Sequence, residues 1–167
     1  MIYAHSAEAV VTVATSVDTL FDYLDDQEHL GSHMQKPSMM MMGGRMTYEF
    51  DEARGRAVGS VIRMGGSVLG NRLSVDEIVV EHAPPVRKVW ETRGQPRILV
   101  IRAYRMGFEI SPSGTRCRLR VFIEYDPPSS ISGRILAWAF APLYAGWCVN
   151  RMAQDGRKRF GERGYAE

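Results

Sequence analysis

Two ionisable residues occupy positions where the sequence pattern predicts a buried sheet face. Arg102 is in phase with Tyr104, Met106 and Phe108, so strict alternation would turn its guanidinium towards the apolar side. Glu77 stands in the same relation to the apolar residues of its own run. An unpaired buried charge is costly, so we expect Arg102 to be paired, to lie at a cavity mouth, or to meet an anionic ligand group. A place at the end of the sheet, where Arg102 reaches water, fits the sequence equally well.

An inward-pointing Glu77 would be the best candidate for a base or for the partner of Arg102, whereas a β-bulge would turn it outwards. Tyr48, Tyr104 and Tyr125 place hydroxyl groups on the same predicted register. Buried tyrosine hydroxyls usually find a partner, so these three would either orient a polar ligand group or satisfy one another. Arg102, Glu77 and Tyr104 are therefore the candidate catalytic residues, although they do not require any reaction.

Motifs for nucleotide and serine-hydrolase chemistry are incomplete. In GGSVLGNR (Gly65–Arg72), Asn71 stands where a phosphate-binding loop needs lysine. Leu69 stands where a nucleophile elbow needs its second glycine. The stretch therefore predicts a hairpin turn and not a catalytic loop.

Histidine and cysteine patterns do not indicate a metal site. His29 and His33 are four residues apart, but Gly31 lies between them and no third ligand can be assigned. Cys117 and Cys148 form neither a CxxC motif nor the paired ligands of a Rieske centre. We therefore expect no metal and no cofactor.

The composition is that of a soluble globular protein, with 45% apolar and 24% charged residues in a chain of 167. Its length suits one domain over residues 1–167. The net charge of +2 comes from interspersed signs, which provides no basic field for nucleic acid. Two cysteines cannot build a disulfide framework, and the start MIYAHSAEAV lacks a basic segment followed by an apolar one. We expect a cytoplasmic location.

The first thirty residues predict a strand and two short helices. The segment AEAVVTVAT is rich in β-branched residues, as strands are. Thr15 and Asp18 resemble a capping box ahead of the first helix. The apolar stripe of that helix, at i, i+3, i+4, i+7 spacing, consists of Val17, Leu20, Phe21 and Leu24. Asp25 and Glu28 repeat the capping pattern ahead of a second helix.

Between residues 43 and 126, apolar alternation is interrupted by turn residues at short intervals. The interruptions separate six candidate strands, at 45–52, 57–64, 72–81, 87–93, 98–110 and 116–125. Connections this short favour an antiparallel meander. Together with the first strand, we expect a seven-stranded antiparallel sheet with one buried and one largely wet face.

The segment 130–160 predicts one long C-terminal helix that covers the apolar face of the sheet. Its apolar stripe at helical spacing consists of Leu136, Phe140, Leu143 and Trp147. Pro142 is expected to kink this helix. The uncharged part, Ile135–Val149, would be only ~22 Å long as a helix, short of the roughly 30 Å of a bilayer core. We therefore expect a buried helix and no stable membrane insertion.

This order of elements is that of the helix-grip fold, in the α+β class. The chain resembles the START-related (SRPBCC) superfamily, and within it the bacterial proteins of polyketide cyclase/dehydrase or lipid-transport type. The resemblance is carried by VATSVDTLFDYLDD, GSVIRMGGSVLGNRLSVDEIVVEHAPPVRKVWET, YRMGFEI and YAGWCVNRM. It implies a curved sheet wrapped around the C-terminal helix, with an apolar cavity between them that is open near one end.

We therefore expect a protein that binds an apolar or amphipathic small molecule, for transport or sensing, as a monomer or homodimer. The residues expected to line the ligand site are Met40, Met42, Met46, Tyr48, Phe50, Trp90, Arg102, Tyr104, Met106, Phe108, Tyr125, Phe140, Leu143 and Trp147. One alternative is a cyclase, dehydratase or hydrolase for a polyketide-like or lipid substrate, with Arg102 stabilising an enolate and Glu77 or a tyrosine as acid or base. The other is a partner-binding or membrane-surface protein that exposes Ile135–Val149 and the methionine run.

Four consecutive methionines, Met39–Met42, precede two glycines. They stand between the second short helix and the second strand, where the resemblance implies that one end of the cavity closes. Two roles stay open for these flexible side chains: a plastic core plug, or a deformable lid whose mobility Gly43 and Gly44 would permit. A copper site would prefer spaced thioethers, so metal binding is the least favoured role.

Overall fold

Within the residues that the structure describes, seven strands and three helices follow one another in the predicted order. The computed structural model describes residues 3–30, 45–68, 71–97, 101–128 and 131–161. The strands are β1 (His5–Val13), β2 (Arg45–Phe50), β3 (Val61–Val68), β4 (Asn71–Ala83), β5 (Arg87–Arg97), β6 (Ala103–Ser113) and β7 (Arg116–Asp126). The helices are α1 (Val17–Asp25), α2 (Gln27–Leu30) and α3 (Ile131–Gly161).

The strands form one curved antiparallel sheet in the order β1-β7-β6-β5-β4-β3-β2. From β2 to β7, each strand pairs with its neighbour along the chain, as short connections require. The first strand lies beside the last, with His5 opposite Tyr125 and Val13 opposite Cys117. Helix α3 packs against β1 and β7. This is the helix-grip fold that the sequence predicted.

The boundaries of β3 differ from the prediction. The strand begins at Val61 and not near residue 57, because Asp51 holds the preceding turn. Its carboxylate accepts hydrogen bonds from the Ser60 hydroxyl at 2.6 Å and from the Val61 N–H at 2.7 Å. The strand then continues through Gly65 and Gly66, which pair with β4. Part of the glycine-rich stretch predicted as a hairpin turn is therefore strand.

One face of the sheet is buried and the other carries charges, as the alternation predicted. The buried side chains of β6 are Tyr104, Met106, Phe108 and Ile110, and those on the same face of β7 are Cys117, Leu119, Val121, Ile123 and Tyr125. On the opposite face, the Arg120 guanidinium lies 2.8 Å from Glu8 and 2.9 Å from Glu109. The sheet therefore presents an apolar inner face to the helices.

The N-cap of helix α1 lies one residue after the predicted cap, Thr15. This N-cap is Ser16, whose hydroxyl accepts a hydrogen bond from the Thr19 N–H at 3.2 Å. Thr15 does not cap the helix because its own N–H is bonded to the Val13 carbonyl at the end of β1. The stripe that α1 buries consists of Leu20, Phe21 and Leu24, as predicted.

Asp25 anchors α1 to the sheet and does not cap α2. Asp26 provides that cap, since its Oδ1 accepts the Glu28 N–H at 2.9 Å. The Asp25 carboxylate lies 2.8 Å from Lys88 Nζ and 3.1 Å from His82 Nε2. Burial lowers the pKa of the fully buried Lys88 ammonium, whereas the contact with Asp25 raises it. The end of α1 is therefore tied to β4 and β5 by a buried ion pair.

Helix α3 contacts the sheet through small side chains and not through the large ones that its spacing predicted. Phe140 and Leu143 are each more than half exposed, so their predicted place against the sheet is wrong. The residues that α3 buries are Ala137, Ala141, Ala145, Cys148, Val149, Met152 and Ala153. Small side chains let the helix approach closely, as at Gly156, where an added Cβ would lie 3.2 Å from Leu119. No helix in the described ranges is long and apolar enough to cross a membrane.

Replacing Lys88 with methionine should lower the free energy of unfolding by about 3 kcal/mol, because the buried Asp25 carboxylate would lose its cationic partner and keep only the contact with His82. Arg63→Met is the matched control, since Arg63 and Asp76 form an exposed pair at 3.9 Å whose loss should cost less than about 1 kcal/mol. Urea unfolding of the two variants and the wild type measures both values. Equal losses in the two variants would contradict the anchoring role of Lys88.

Candidate functional site

Glu77 is a buried acid on the inner face of β4, with 3% of its surface exposed. Its place is fixed by register, because it pairs with Ile62 of β3 on one side and Thr92 of β5 on the other. The Tyr104 hydroxyl of β6 donates a short hydrogen bond to Oε1 of Glu77. The strand geometry thus turns Glu77 inwards and pairs it with a tyrosine.

Beside this pair, the Thr92 side chain makes hydrogen bonds to the backbone across β5 and β6. Thr92 uses its side chain there: its hydroxyl lies 3.4 Å from the Tyr104 carbonyl, and it accepts the Tyr104 N–H at 3.3 Å. The side-chain bonds satisfy both backbone groups of Tyr104. They hold the residue that binds Glu77 in place.

Burial raises the pKa of Glu77 from its ordinary value of 4.5 to about 7. The hydrogen bond from Tyr104, the nearby Trp90 indole and the charge of Lys88 act in the opposite direction and limit the rise. Among the residues that the structure describes, Oε2 of Glu77 has no hydrogen bond of good geometry. The carboxyl group therefore retains an acceptor oxygen and changes its charge near neutral pH.

The tyrosines near Glu77, and Cys148 beside one of them, are neutral at pH 7. Burial raises the pKa values of Tyr48, Tyr104 and Tyr144 well above 10, and the neighbouring carboxylate adds to the rise for each. Burial also raises the pKa of the Cys148 thiol to about 12. Tyr48, Tyr104 and Tyr144 therefore stay protonated near neutral pH and do not compete with Glu77 for its proton.

A cavity of about 500 Å³ lies between the start of α3 and the ends of β1 and β7. Its lining residues are His5, Tyr125, Pro127, Ile135, Ala137, Trp138, Ala141 and Pro142. Tyr125 pairs directly with Tyr104 across the sheet, so the inner face continues from the cavity wall to the partner of Glu77. The His5 ring stacks on Tyr125 with centroids 5.5 Å apart. The arrangement combines a mostly apolar pocket, open to solvent at Ile135 and Trp138, with an acid further along the same face of the sheet.

The structure places most of the predicted site residues on this inner face. Glu77, Trp90 and Tyr104 are brought together, and Tyr48 lies near enough for its pKa to respond to Glu77. The remaining predicted residues that are buried or packed against the core are Phe50, Met106, Phe108, Tyr125 and Trp147. The side chains of Met40, Met42 and Met46 lie outside the described part of the structure.

Three predicted residues point away from the interior. Arg102 is 57% exposed, and its guanidinium lies 3.3 Å from the Asp126 carboxylate at the end of the sheet. It precedes β6, so the alternation that predicted an inward direction does not apply to it. Phe140 and Leu143 are exposed because α3 turns its alanines to the sheet. The suggested pairing of Arg102 with Glu77 is therefore wrong.

Several site residues were not predicted. Tyr144 and Cys148 of α3 interact with each other, and the pKa of Tyr144 also responds to Glu77. A signal for the buried side of α3 existed in the sequence, since Ala137, Ala141 and Ala145 recur every four residues. Within the described ranges, no group of three His, Cys, Asp or Glu residues is arranged to hold a metal ion.

Replacing Glu77 with glutamine should remove a pH-dependent loss of stability. Because the folded pKa of about 7 exceeds the ordinary 4.5, protonated Glu77 stabilises the fold fully below pH 4.5, and this contribution is lost as the pH rises through 7. Between pH 5 and pH 8 the wild type should lose about 2–3 kcal/mol relative to the variant. Urea unfolding across this pH range provides the measurement, and a constant difference would contradict the raised pKa.

Solved structures share this fold at low sequence identity. TTHA0849 from Thermus thermophilus has a TM-score of 0.68 and 12% identity, with 96% of this chain and 100% of that chain covered. Norcoclaurine synthase from Thalictrum flavum has a TM-score of 0.64 and 17% identity, with coverages of 95% and 87%. The major latex-like protein 151 from Panax ginseng has a TM-score of 0.62 and 12% identity, with coverages of 93% and 97%. These similarities show the fold alone.

The family of this chain follows from a match to a family model. No curated protein gives a significant match to this sequence. The family model described as polyketide cyclase/dehydrase and lipid transport, however, matches residues 4–159, which is nearly the whole chain. The chain therefore belongs to the polyketide cyclase/dehydrase and lipid-transport family, in the START-related superfamily that its sequence resembles.

Proposed function

We propose that this protein binds an amphipathic small molecule whose apolar body occupies the cavity under α3 and whose polar group reaches towards Glu77. The proposal rests on an apolar cavity of about 500 Å³ whose lining residue Tyr125 is the sheet neighbour of Tyr104, the residue that hydrogen-bonds the buried carboxyl group of Glu77. Ligand pockets commonly combine these two features: a mostly apolar wall and a few polar groups that set orientation. The family description, which includes lipid transport, is consistent with this function.

The apolar wall would provide most of the binding energy. A volume of about 500 Å³ lies within the roughly 300–1,000 Å³ typical of small-molecule sites. Burying about 300 Å² of apolar ligand surface contributes ~7 kcal/mol before the cost of ordering the ligand is subtracted. This energy suits a ligand of moderate size held with modest affinity, as transport or sensing requires.

Glu77 would select the polar group of the ligand. When ionised, its Oε2 accepts a hydrogen bond, so a ligand hydroxyl, enol or amine satisfies it. The surrounding hydroxyl groups of Tyr48, Tyr104 and Tyr144 remain protonated, so Glu77 is the group at this site that changes charge near neutral pH. A pure hydrocarbon would offer Oε2 of Glu77 no donor, so we expect amphipathic ligands to bind more tightly.

N-Phenyl-1-naphthylamine, a fluorescent apolar molecule with one N–H donor, tests the cavity. Ala141→Trp should weaken its binding at least ~10-fold, because the indole would occupy space that the cavity provides. Ala139→Trp, on the exposed side of the same helix, is the matched control and should bind like the wild type. Fluorescence titration measures the three affinities, and equal affinities would contradict binding in this cavity. Ala141→Leu repeats the test with a smaller side chain if the tryptophan variant fails to fold.

A second candidate function is acid–base catalysis at Glu77, favoured by its pKa of about 7 next to the Tyr104 hydroxyl. A carboxylate whose pKa lies near the working pH removes a proton efficiently, and Tyr104 orients it through the hydrogen bond to Oε1. Such chemistry suits the cyclisation or dehydration of a polyketide-like substrate, although Arg102 takes no part in it.

Proton abstraction from an aryl methyl ketone tests this second function. In D2O near pH 7, the wild type should incorporate deuterium at the methyl group faster than Glu77→Gln, as followed by NMR. Tyr104→Phe should also slow the exchange, because it removes the hydrogen bond that orients the Glu77 carboxylate and lowers its pKa. Identical exchange in all three proteins would leave ligand binding as the function of the site.

A further inference from the structure

Residues with rings make up much of the wall of the cavity under α3. Among the described residues that line it, those with a ring are His5, Tyr125, Pro127, Trp138 and Pro142. Two of the others, Ala137 and Ala141, have a single methyl group as side chain. Flat rings and short methyl groups give a wall with few projecting side chains. Such a wall is compatible with a flat ligand.

The side of this wall that the sheet provides contains an aromatic pair. The His5 ring stacks on the Tyr125 ring, with centroids 5.5 Å apart and an angle of 27° between the planes. Strand register fixes the pair, because His5 of β1 lies directly opposite Tyr125 of β7. Tyr125 is buried, whereas His5 is exposed at the first position of its strand. The sheet therefore holds an accessible aromatic ring on the cavity wall.

This ring can make a contact that an aliphatic side chain cannot. Because Tyr125 covers one face of the His5 ring, the other face or the edge contributes to the cavity wall. Aromatic rings attract one another in offset-stacked or edge-to-face arrangements, beyond the gain from burying their surface. A ligand ring placed against His5 would extend the stack. An aliphatic chain in the same place would gain only from burial.

We propose that His5 is a specificity-determining residue that gives the cavity a preference for flat aromatic ligands over aliphatic chains. This inference rests on the proposed binding function and names its ligand class: an aromatic ring system that carries a hydroxyl or another hydrogen-bond donor. The ring system would lie against His5, with the donor directed along the sheet towards Glu77. Tyr125 leads in that direction, because it pairs with Tyr104, the hydrogen-bond partner of Glu77.

Displacement of N-phenyl-1-naphthylamine by two alcohols tests the preference, with the affinity of each variant for the probe measured first. 2-Naphthol and 1-decanol have the same number of carbon atoms and one hydroxyl group each, but only 2-naphthol is flat and aromatic. His5→Leu should weaken binding of 2-naphthol about 3- to 10-fold, as expected for the loss of one aromatic contact. Binding of 1-decanol should stay unchanged, which also shows that the variant is folded. His5→Phe keeps an aromatic ring and should bind 2-naphthol like the wild type.

His29→Leu is the matched control. The His29 ring also stacks on a tyrosine, Tyr23, with centroids 4.6 Å apart, but His29 is not among the residues that line the cavity. Its replacement should leave the affinities for both alcohols unchanged. Equal losses for the two alcohols in His5→Leu, or no loss for either, would overturn the aromatic preference and leave the binding function intact. A wild type that binds neither the probe nor either alcohol would contradict the binding function itself, and the preference with it.

Discussion

The site is organised by the cost of burying a carboxyl group among apolar side chains. Glu77 is shielded from water in the interior of the fold, so its charged form loses solvation. The pKa of its carboxyl group therefore rises to about 7. Satisfying one of its oxygens requires Tyr104 in a fixed position, and Tyr104 in turn depends on the side chain of Thr92. Such a group is retained at a cost in stability, which is typical of residues with a role in binding or catalysis. The same burial that raises its pKa leaves its second oxygen available.

The two ends of α3 have different roles: the start lines the cavity, and the later part packs against the core. Towards its start, alanines face the sheet and leave space, while the large side chains point to solvent. Towards its end, Val149, Met152 and Ala153 are buried, and Gly156 permits close contact with Leu119. The helix is thus fixed at one end by packing and stands over the cavity at the other. The buried pair of Asp25 and Lys88 secures α1 beneath the sheet independently of this contact.

The sequence predicted the architecture well because its signals are local. Alternation on β6 and β7 has a period of two, so the buried faces follow once the strands are located. The direction of Arg102 was not predictable in this way, because β6 begins at Ala103, five residues after the predicted start at 98, and leaves Arg102 outside the strand. The inner side of α3 was missed because hydrophobicity favours Phe140 and Leu143, whereas the contact selects for small size at Ala141 and its neighbours.

The roles of the acidic residues also could not be predicted from local sequence patterns. Asp25 and Asp26 are equally suited to a helix cap by composition, and only the tertiary contact with Lys88 distinguishes the buried one from the cap. For Glu77, alternation indicated the inward direction but not its partner, because Tyr104 lies two strands away in the sheet. Patterns in a single sequence do not reveal which residues far apart in the chain are in contact.

Titration of the Glu77 side-chain carboxyl by carbon-13 NMR tests the central claim most directly, with Glu77→Gln to identify its signal. We predict a midpoint near pH 7 in the free protein, and a shift of that midpoint when N-phenyl-1-naphthylamine fills the cavity. A midpoint near the ordinary value of 4.5 would contradict the burial of this group. A midpoint that saturating probe leaves unchanged would contradict its place at the ligand site.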